Sequence, residues 1–177
     1  MSNSFLGRRV FIKLDQHLPS FAMKGLLTFE QVEDLDAESK YLVHKAKDAA
    51  QHAYAPYSKF HVGAAIILED DTLVIGNNQE NASYPMSMCA ERVALYTAAS
   101  TYFGKRIKKI AIVAHKKNQK ELSAATPCGG CRQVILEYEV LQKTPIQIVL
   151  LTQESKWTIF PSASYLLPFS FNKKNLI

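Results

Sequence analysis

Three cysteines and one glutamate in this chain are spaced for metal chemistry. Cys89 opens the run Cys89-Ala90-Glu91-Arg92, and Cys128 and Cys131 lie in Pro127-Cys128-Gly129-Gly130-Cys131-Arg132-Gln133. No other cysteine occurs among the 177 residues. An odd number of thiols fits poorly with a closed set of disulfides. Three is also one ligand short of a structural zinc site, and it matches the catalytic arrangement of three protein ligands and an open position for water. Glu91, two residues after Cys89, is close enough to face that open position without ligating the metal.

The local spacing supports a metal role. Cys128 and Cys131 stand three apart, so at the first turn of a helix they share a face. Pro127 and Gly129-Gly130 suit a tight loop-to-helix entry. The partial positive charge of a helix N-terminus favours the thiolate that zinc needs. Zinc with three thiolates is net negative, and Arg92 and Arg132 are placed to offset it. A lone Cys-x-x-Cys is a weak signal. The ordered set of Cys-x-Glu, a helical stretch and Pro-Cys-x-x-Cys is far more specific, and it resembles the signature of zinc-dependent deaminases.

Secondary elements must carry both segments to one place. Asp36 to Tyr54 reads as a helix: Leu42, Val43, Ala46, Ala49, Ala50 and Ala53 recur on one face, Asp36 is an N-cap and Pro56 a stop. Phe60 to Leu68 and Leu73 to Gly76 read as strands in a hairpin. A polar loop, Asn77 to Met88, leads to a helix from Ala90 to about Thr101. Ile107 to His115 is nearly continuous apolar, as in a central strand covered on both faces. The second cysteine run opens a helix through Tyr138. Strands follow at Ile146 to Thr152 and Trp157 to Phe160, too close together for a parallel crossover and hence antiparallel. A helical turn is expected at Ser164 to Leu167. The expected fold is α/β: one five-stranded mixed sheet with its last two strands antiparallel, in a three-layer α/β/α sandwich. Residues 1–34 read as an N-terminal arm, with Val10 to Leu14 as a short edge strand, and 35–177 as one domain.

Composition is that of an ordinary globular protein, 47% apolar and 21% charged, with a net charge of +5. Lysines gather at 105–109, 116–120 and 173–174 without alternating aromatics, so nucleic acid is not an expected partner. No apolar run approaches the ~20 residues of a membrane span. Arg8-Arg9-Val10-Phe11-Ile12 is broken by Lys13 and Asp15 too early for an export signal. Three free thiols in that setting favour the cytoplasm.

From about Tyr54 to Phe171 the chain resembles the small oligomeric cytidine deaminases that act on free nucleosides. The resemblance rests on Tyr57-Ser58-Lys59-Phe60-His61-Val62-Gly63-Ala64-Ala65, on Asn78-Gln79-Glu80-Asn81-Ala82-Ser83-Tyr84, and on the two cysteine runs. Leu166-Leu167-Pro168 and Phe171 resemble the C-terminal signature. The resemblance implies one zinc per subunit on Cys89, Cys128 and Cys131, with Glu91 as the catalytic proton shuttle. It implies that Phe60 packs on the pyrimidine, that Asn78 and Glu80 bind ribose hydroxyls, and that the Ala90 backbone holds the base. Arg92 contacts the thiolates, Gln133 steadies Arg92, and Phe171 enters a neighbour's site. That last role requires a homo-oligomer, a homotetramer with a homodimer as the alternative. His61 stands where many members have proline, and Pro85 replaces a frequent glycine. With three cysteines filling the ligand positions, His61 reads as structural.

The implied reaction is hydrolytic deamination of cytidine or 2′-deoxycytidine to the uridine counterpart and ammonia. Deamination of another free aminopyrimidine, such as blasticidin S, shares the zinc motifs, but Asn78-x-Glu80 favours a ribose. A non-catalytic zinc protein would have no use for Glu91.

Overall fold

A computed structural model describes residues 26–119 and 121–176. The helix expected from Asp36 is α1, Ala37–Gln51. The Asp36 carboxylate caps it, accepting from the Ser39 amide at 2.8 Å. The hairpin is β2, Phe60–Leu68, and β3, Leu73–Asn77, antiparallel. Helix α2, Ala90–Thr101, starts on the residue after Cys89, and β4, Ile107–Lys116, follows it. Helix α3, Gly129–Gln142, starts on the residue after Cys128. The chain then forms β5, Gln147–Leu151, and β6, Trp157–Phe160, antiparallel as expected. Ala163–Tyr165 is a 3-10 turn.

The sheet has six strands, not the five expected. The sixth is β1, Leu27–Phe29, paired antiparallel with β6 at one edge. Three residues are too few to show an alternating pattern, and an edge strand half exposed to water carries a weak apolar signal. It lies within the stretch read as an arm. The edge strand expected at Val10 to Leu14 falls outside the described residues. Strand order is β1-β6-β5-β4-β2-β3. Among these six strands only β4 and β5 are parallel, and α3 is the crossover between them.

Side chains alternate cleanly across the central strands. Ala64, Ile66, Ile110, Ile112, Ile148 and Leu150 face α2 and α3 and pack with Ala94, Leu95 and Ile135. Ala65, Ile67, Ala111, Val113 and Val149 face the opposite side, against Leu42, Val43, Ala46 and Ala50 of α1. The expected three layers are therefore present, with one helix on one face and two on the other. Buried Lys109 ties the start of α1 to β4, reaching Asp36 and Glu38 at 3.2 Å each. No helix among the described residues is long and apolar enough to cross a membrane.

Two glycines set how closely helices lie on the hairpin. A Cβ on Gly63 would sit 2.0 Å from the Ala46 carbonyl oxygen, and one on Gly76 would sit 2.5 Å from the Ala94 amide nitrogen and 2.6 Å from the Ala90 carbonyl oxygen. Gly76 thus presses β3 against the first turns of α2, just beyond Cys89. Gly76→Ala must push α2 outward, because the obstructing atoms are main chain. Overpacking of this kind costs about 1–3 kcal/mol. A lower midpoint in urea denaturation is the expected result, and an unchanged midpoint would show that the helix yields freely.

Candidate active site

The two cysteine segments meet because α2 and α3 begin side by side on the same face of the sheet. Cys89 and Cys128 are the N-cap residues of their helices, both with extended backbone and neither with a side-chain capping bond. Their sulfurs are therefore free to turn toward each other. Sγ of Cys89 lies 3.9 Å from Sγ of Cys128, which lies 3.5 Å from Sγ of Cys131, and all three fall within 4.8 Å. Zinc–sulfur bonds of about 2.3 Å in a tetrahedron put sulfurs about 3.8 Å apart. The Cys89–Cys128 and Cys128–Cys131 pairs come close to that spacing, so the donor set fits zinc in chemistry and in size. Both sides of the cluster are built alike: each helix N-terminus directs its partial positive charge at a sulfur.

The local electrostatics favour charge on the Cys89 sulfur. A hydrogen bond from Cys131 and the Arg92 guanidinium, whose Nη2 lies 3.8 Å from Sγ of Cys89, bring the Cys89 thiol down to about 5 despite its partial burial. Cys131 donates to that thiolate and is itself buried, and both push it far above the ordinary thiol range. Glu91 is 5% exposed. Burial, reinforced by the charge of Cys89, raises its pKa above the ordinary carboxylate value. A raised carboxyl beside a metal site is suited to taking up and returning protons.

A cleft of about 400 Å³ opens onto this floor. Phe60, Asn78, Glu80, Ala90, Glu91 and Arg92 line it with Cys89 and Cys128, so most residues implied by the resemblance share one cavity. Phe60 is half-buried at the start of β2. Glu80 is held by the main chain: Oε2 accepts from the Tyr57 amide at 2.8 Å and the Ser58 amide at 3.3 Å. A bond from the Ser58 side chain, ahead of these two main-chain bonds, keeps its pKa low.

Asn78 has a task that its sequence position did not disclose. Its Oδ1 accepts from the Val62 amide at 2.8 Å and its Nδ2 donates to the Phe60 carbonyl at 3.0 Å. The carboxamide thus continues the hairpin ladder where β3 ends, and fixes the strand that carries Phe60. The loop around it is anchored too. Gln79 and Met88 exchange main-chain bonds of 2.9 and 2.8 Å, and the Glu80 amide donates to the Tyr54 carbonyl at 2.8 Å.

Three implied residues are not among those lining the cavity: Gln133, Phe171 and the buried Cys131. Phe171 is 60% exposed. The Gln133 amide donates to the Phe171 carbonyl at 2.8 Å, and this is the contact the structure gives it. Sequence reasoning gave no role to Tyr84, Met88 and Thr126, which also line the cleft. Tyr84 packs on Tyr57, ring centroids 5.9 Å apart. Loops carry no periodicity, and the only available signal was the place of Tyr84 at the end of the Asn78 motif. His61 stacks on His115 across the β2–β4 pair at 5.3 Å, away from the sulfurs, in keeping with a structural reading.

Comparison with known proteins agrees with this geometry. The profile of the cytidine and deoxycytidylate deaminase zinc-binding region matches residues 36–146. The chain is 38% identical over 135 residues to the cytidine deaminase of Sporosarcina psychrophila, covering 76% of this chain and 92% of that protein. It is 44% identical over 101 residues to that of Halalkalibacterium halodurans, covering 56% and 71%. The crystal structure of cytidine deaminase from Burkholderia pseudomallei superposes with a TM-score of 0.61 at 40% identity, covering 74% of this chain and 97% of that one.

Elemental analysis of the purified protein is expected to give one zinc per chain. Cys128→Ala should lose most of that metal, and full retention by the variant would remove Cys128 from the ligand set.

Proposed function

This chain belongs to the cytidine and deoxycytidylate deaminase family, and on that premise we propose that it hydrolyses cytidine and 2′-deoxycytidine to uridine and 2′-deoxyuridine with release of ammonia. The observation that carries the reading is the buried Glu91 beside three clustered sulfurs, on the floor of a cleft lined by Phe60 and Glu80.

Cys89, Cys128 and Cys131 would hold the zinc, which when bound supplies a hydroxide nucleophile at neutral pH. Glu91 takes the proton of the attacking water and delivers it to N3 of the pyrimidine, which makes C4 electrophilic. It then takes the second proton, from the hydroxyl now on C4, and gives it to the 4-amino group as the C4–N bond breaks and ammonia leaves. Burial raises the pKa of this carboxyl, which favours its uptake of a proton from water. Phe60 packs on the ring and the Ala90 main chain orients it. The Tyr57 and Ser58 amides bond to Oε2 of Glu80 and orient the carboxylate, which accepts from a sugar hydroxyl. The second N–H of the Asn78 carboxamide serves the same sugar. Arg92 balances the charge on the thiolates.

Exposed Phe171 is assigned to the cleft of a neighbouring subunit, in a homotetramer, with a homodimer as the alternative; native mass spectrometry decides between them. Three unpaired thiols are favoured in a reducing compartment, which suits the cytoplasm.

Glu91→Gln keeps shape and loses the shuttle. The expected fall in kcat is at or above about 10,000-fold, the upper end for a general acid–base group, with zinc content unchanged. A near-normal rate would take Glu91 out of the mechanism. The sugar reading is tested by kcat/KM for cytidine and free cytosine. Contacts to a non-reacting part of a substrate can lower the barrier at the reacting part, so cytosine should be a very poor substrate. Glu80→Ala should harm the cytidine reaction and leave the weak cytosine reaction little changed. Equal treatment of both substrates by both proteins would overturn the ribose assignment.

A further inference from the structure

We propose that Arg132 is a positioning residue for the zinc ligands, acting through main-chain carbonyls and not as a counter-charge to the thiolates. Its place next to Cys131 suggests a counter-charge, but its guanidinium is engaged elsewhere. Nε donates to the Pro127 carbonyl oxygen at 2.7 Å, and Nη1 donates to the Leu166 carbonyl oxygen at 2.9 Å. Pro127 is fully buried and immediately precedes Cys128, the most exposed of the three ligands. The main-chain amide of Arg132 also donates to the Cys128 carbonyl at 3.0 Å. One residue therefore holds the two successive carbonyls that set where the Cys128 sulfur lies.

The second arm of the fork leads to the C-terminal segment. That segment is tied to α3 on either side of Leu166. Buried Glu139 accepts from the Ser162 hydroxyl at 2.8 Å and the Ala163 amide at 2.9 Å, and Gln133 donates to the Phe171 carbonyl at 2.8 Å. The Leu166 carbonyl is thus a fixed point, and Arg132 braces the metal loop against it. A planar guanidinium presents its donors in a rigid fork, whereas an ammonium is a point charge on a flexible stem. Charge alone does not reproduce this brace. Residues that orient metal ligands from behind change metal affinity by about 10- to 100-fold when replaced.

The inference rests on the zinc reading of the three cysteines, and the experiment separates the two. Full-length wild type, Arg132→Met and Arg132→Lys are loaded with zinc, and release to a chromophoric chelator is timed. Arg132→Met is expected to release zinc about 10- to 100-fold faster than wild type. Arg132→Lys should also release faster, because it keeps the charge and loses the fork. Amide hydrogen exchange over residues 163–171 should quicken in both variants. If Arg132→Lys releases zinc at the wild-type rate, charge is what matters and the proposal is overturned. If both variants hold zinc as wild type does, Arg132 has no positioning role. A wild type that binds no zinc would instead sink the metal reading, and this inference with it.

Discussion

The arrangement of this protein depends on two helices entering a sheet at the same end, so that their first residues place thiols within contact distance. Neither helix supplies a complete donor set. Helix α2 brings Cys89 and Glu91, and α3 brings Cys128 and Cys131. Their approach is fixed by packing: α2 lies against β3 at Gly76, and Ile135 of α3 sits in the same apolar layer as Ala94 and Leu95. The cluster of sulfurs is thus a product of sheet geometry, and its chemistry follows from burial and from the field of two helix N-termini.

That constraint also explains how one carboxyl comes to be buried. Glu91 occupies the first turn of α2, where a carboxylate is favoured by the helix field, yet it is almost wholly removed from water. The two influences oppose each other, and desolvation prevails. Glu80 shows the opposite balance on the cleft wall, where the Ser58 side chain and the Tyr57 and Ser58 amides hold it in the charged form. Two carboxylates in one cleft are thereby fitted to different work.

Much of this was legible in the sequence wherever a residue type leaves few options. Asp36 before an alanine-faced periodic stretch could only cap a helix packed closely on a sheet, and the run Ile110 to Ala114 could only be central. The cysteine spacing located the site for the same reason. What escaped was structure made by side chain to main chain contacts, which leave no periodic trace. Asn78 reads as a loop residue although its carboxamide extends the hairpin. Arg132 reads as a counter-ion although it grips carbonyls. The strand β1 is three residues long and could not reveal itself through alternation.

The separation of the ligands along the chain has a consequence for assembly. Cys128 and Cys131 are neighbours on one turn, but Cys89 lies 39 positions before Cys128. Between them run the whole of α2 and the whole of β4, the strand that sits between β2 and β5. All three sulfurs meet in a fold where β4 lies between β2 and β5, and closing a loop of that length carries its own entropic cost. A metal held by the full set would therefore favour the state in which the central strands are in register.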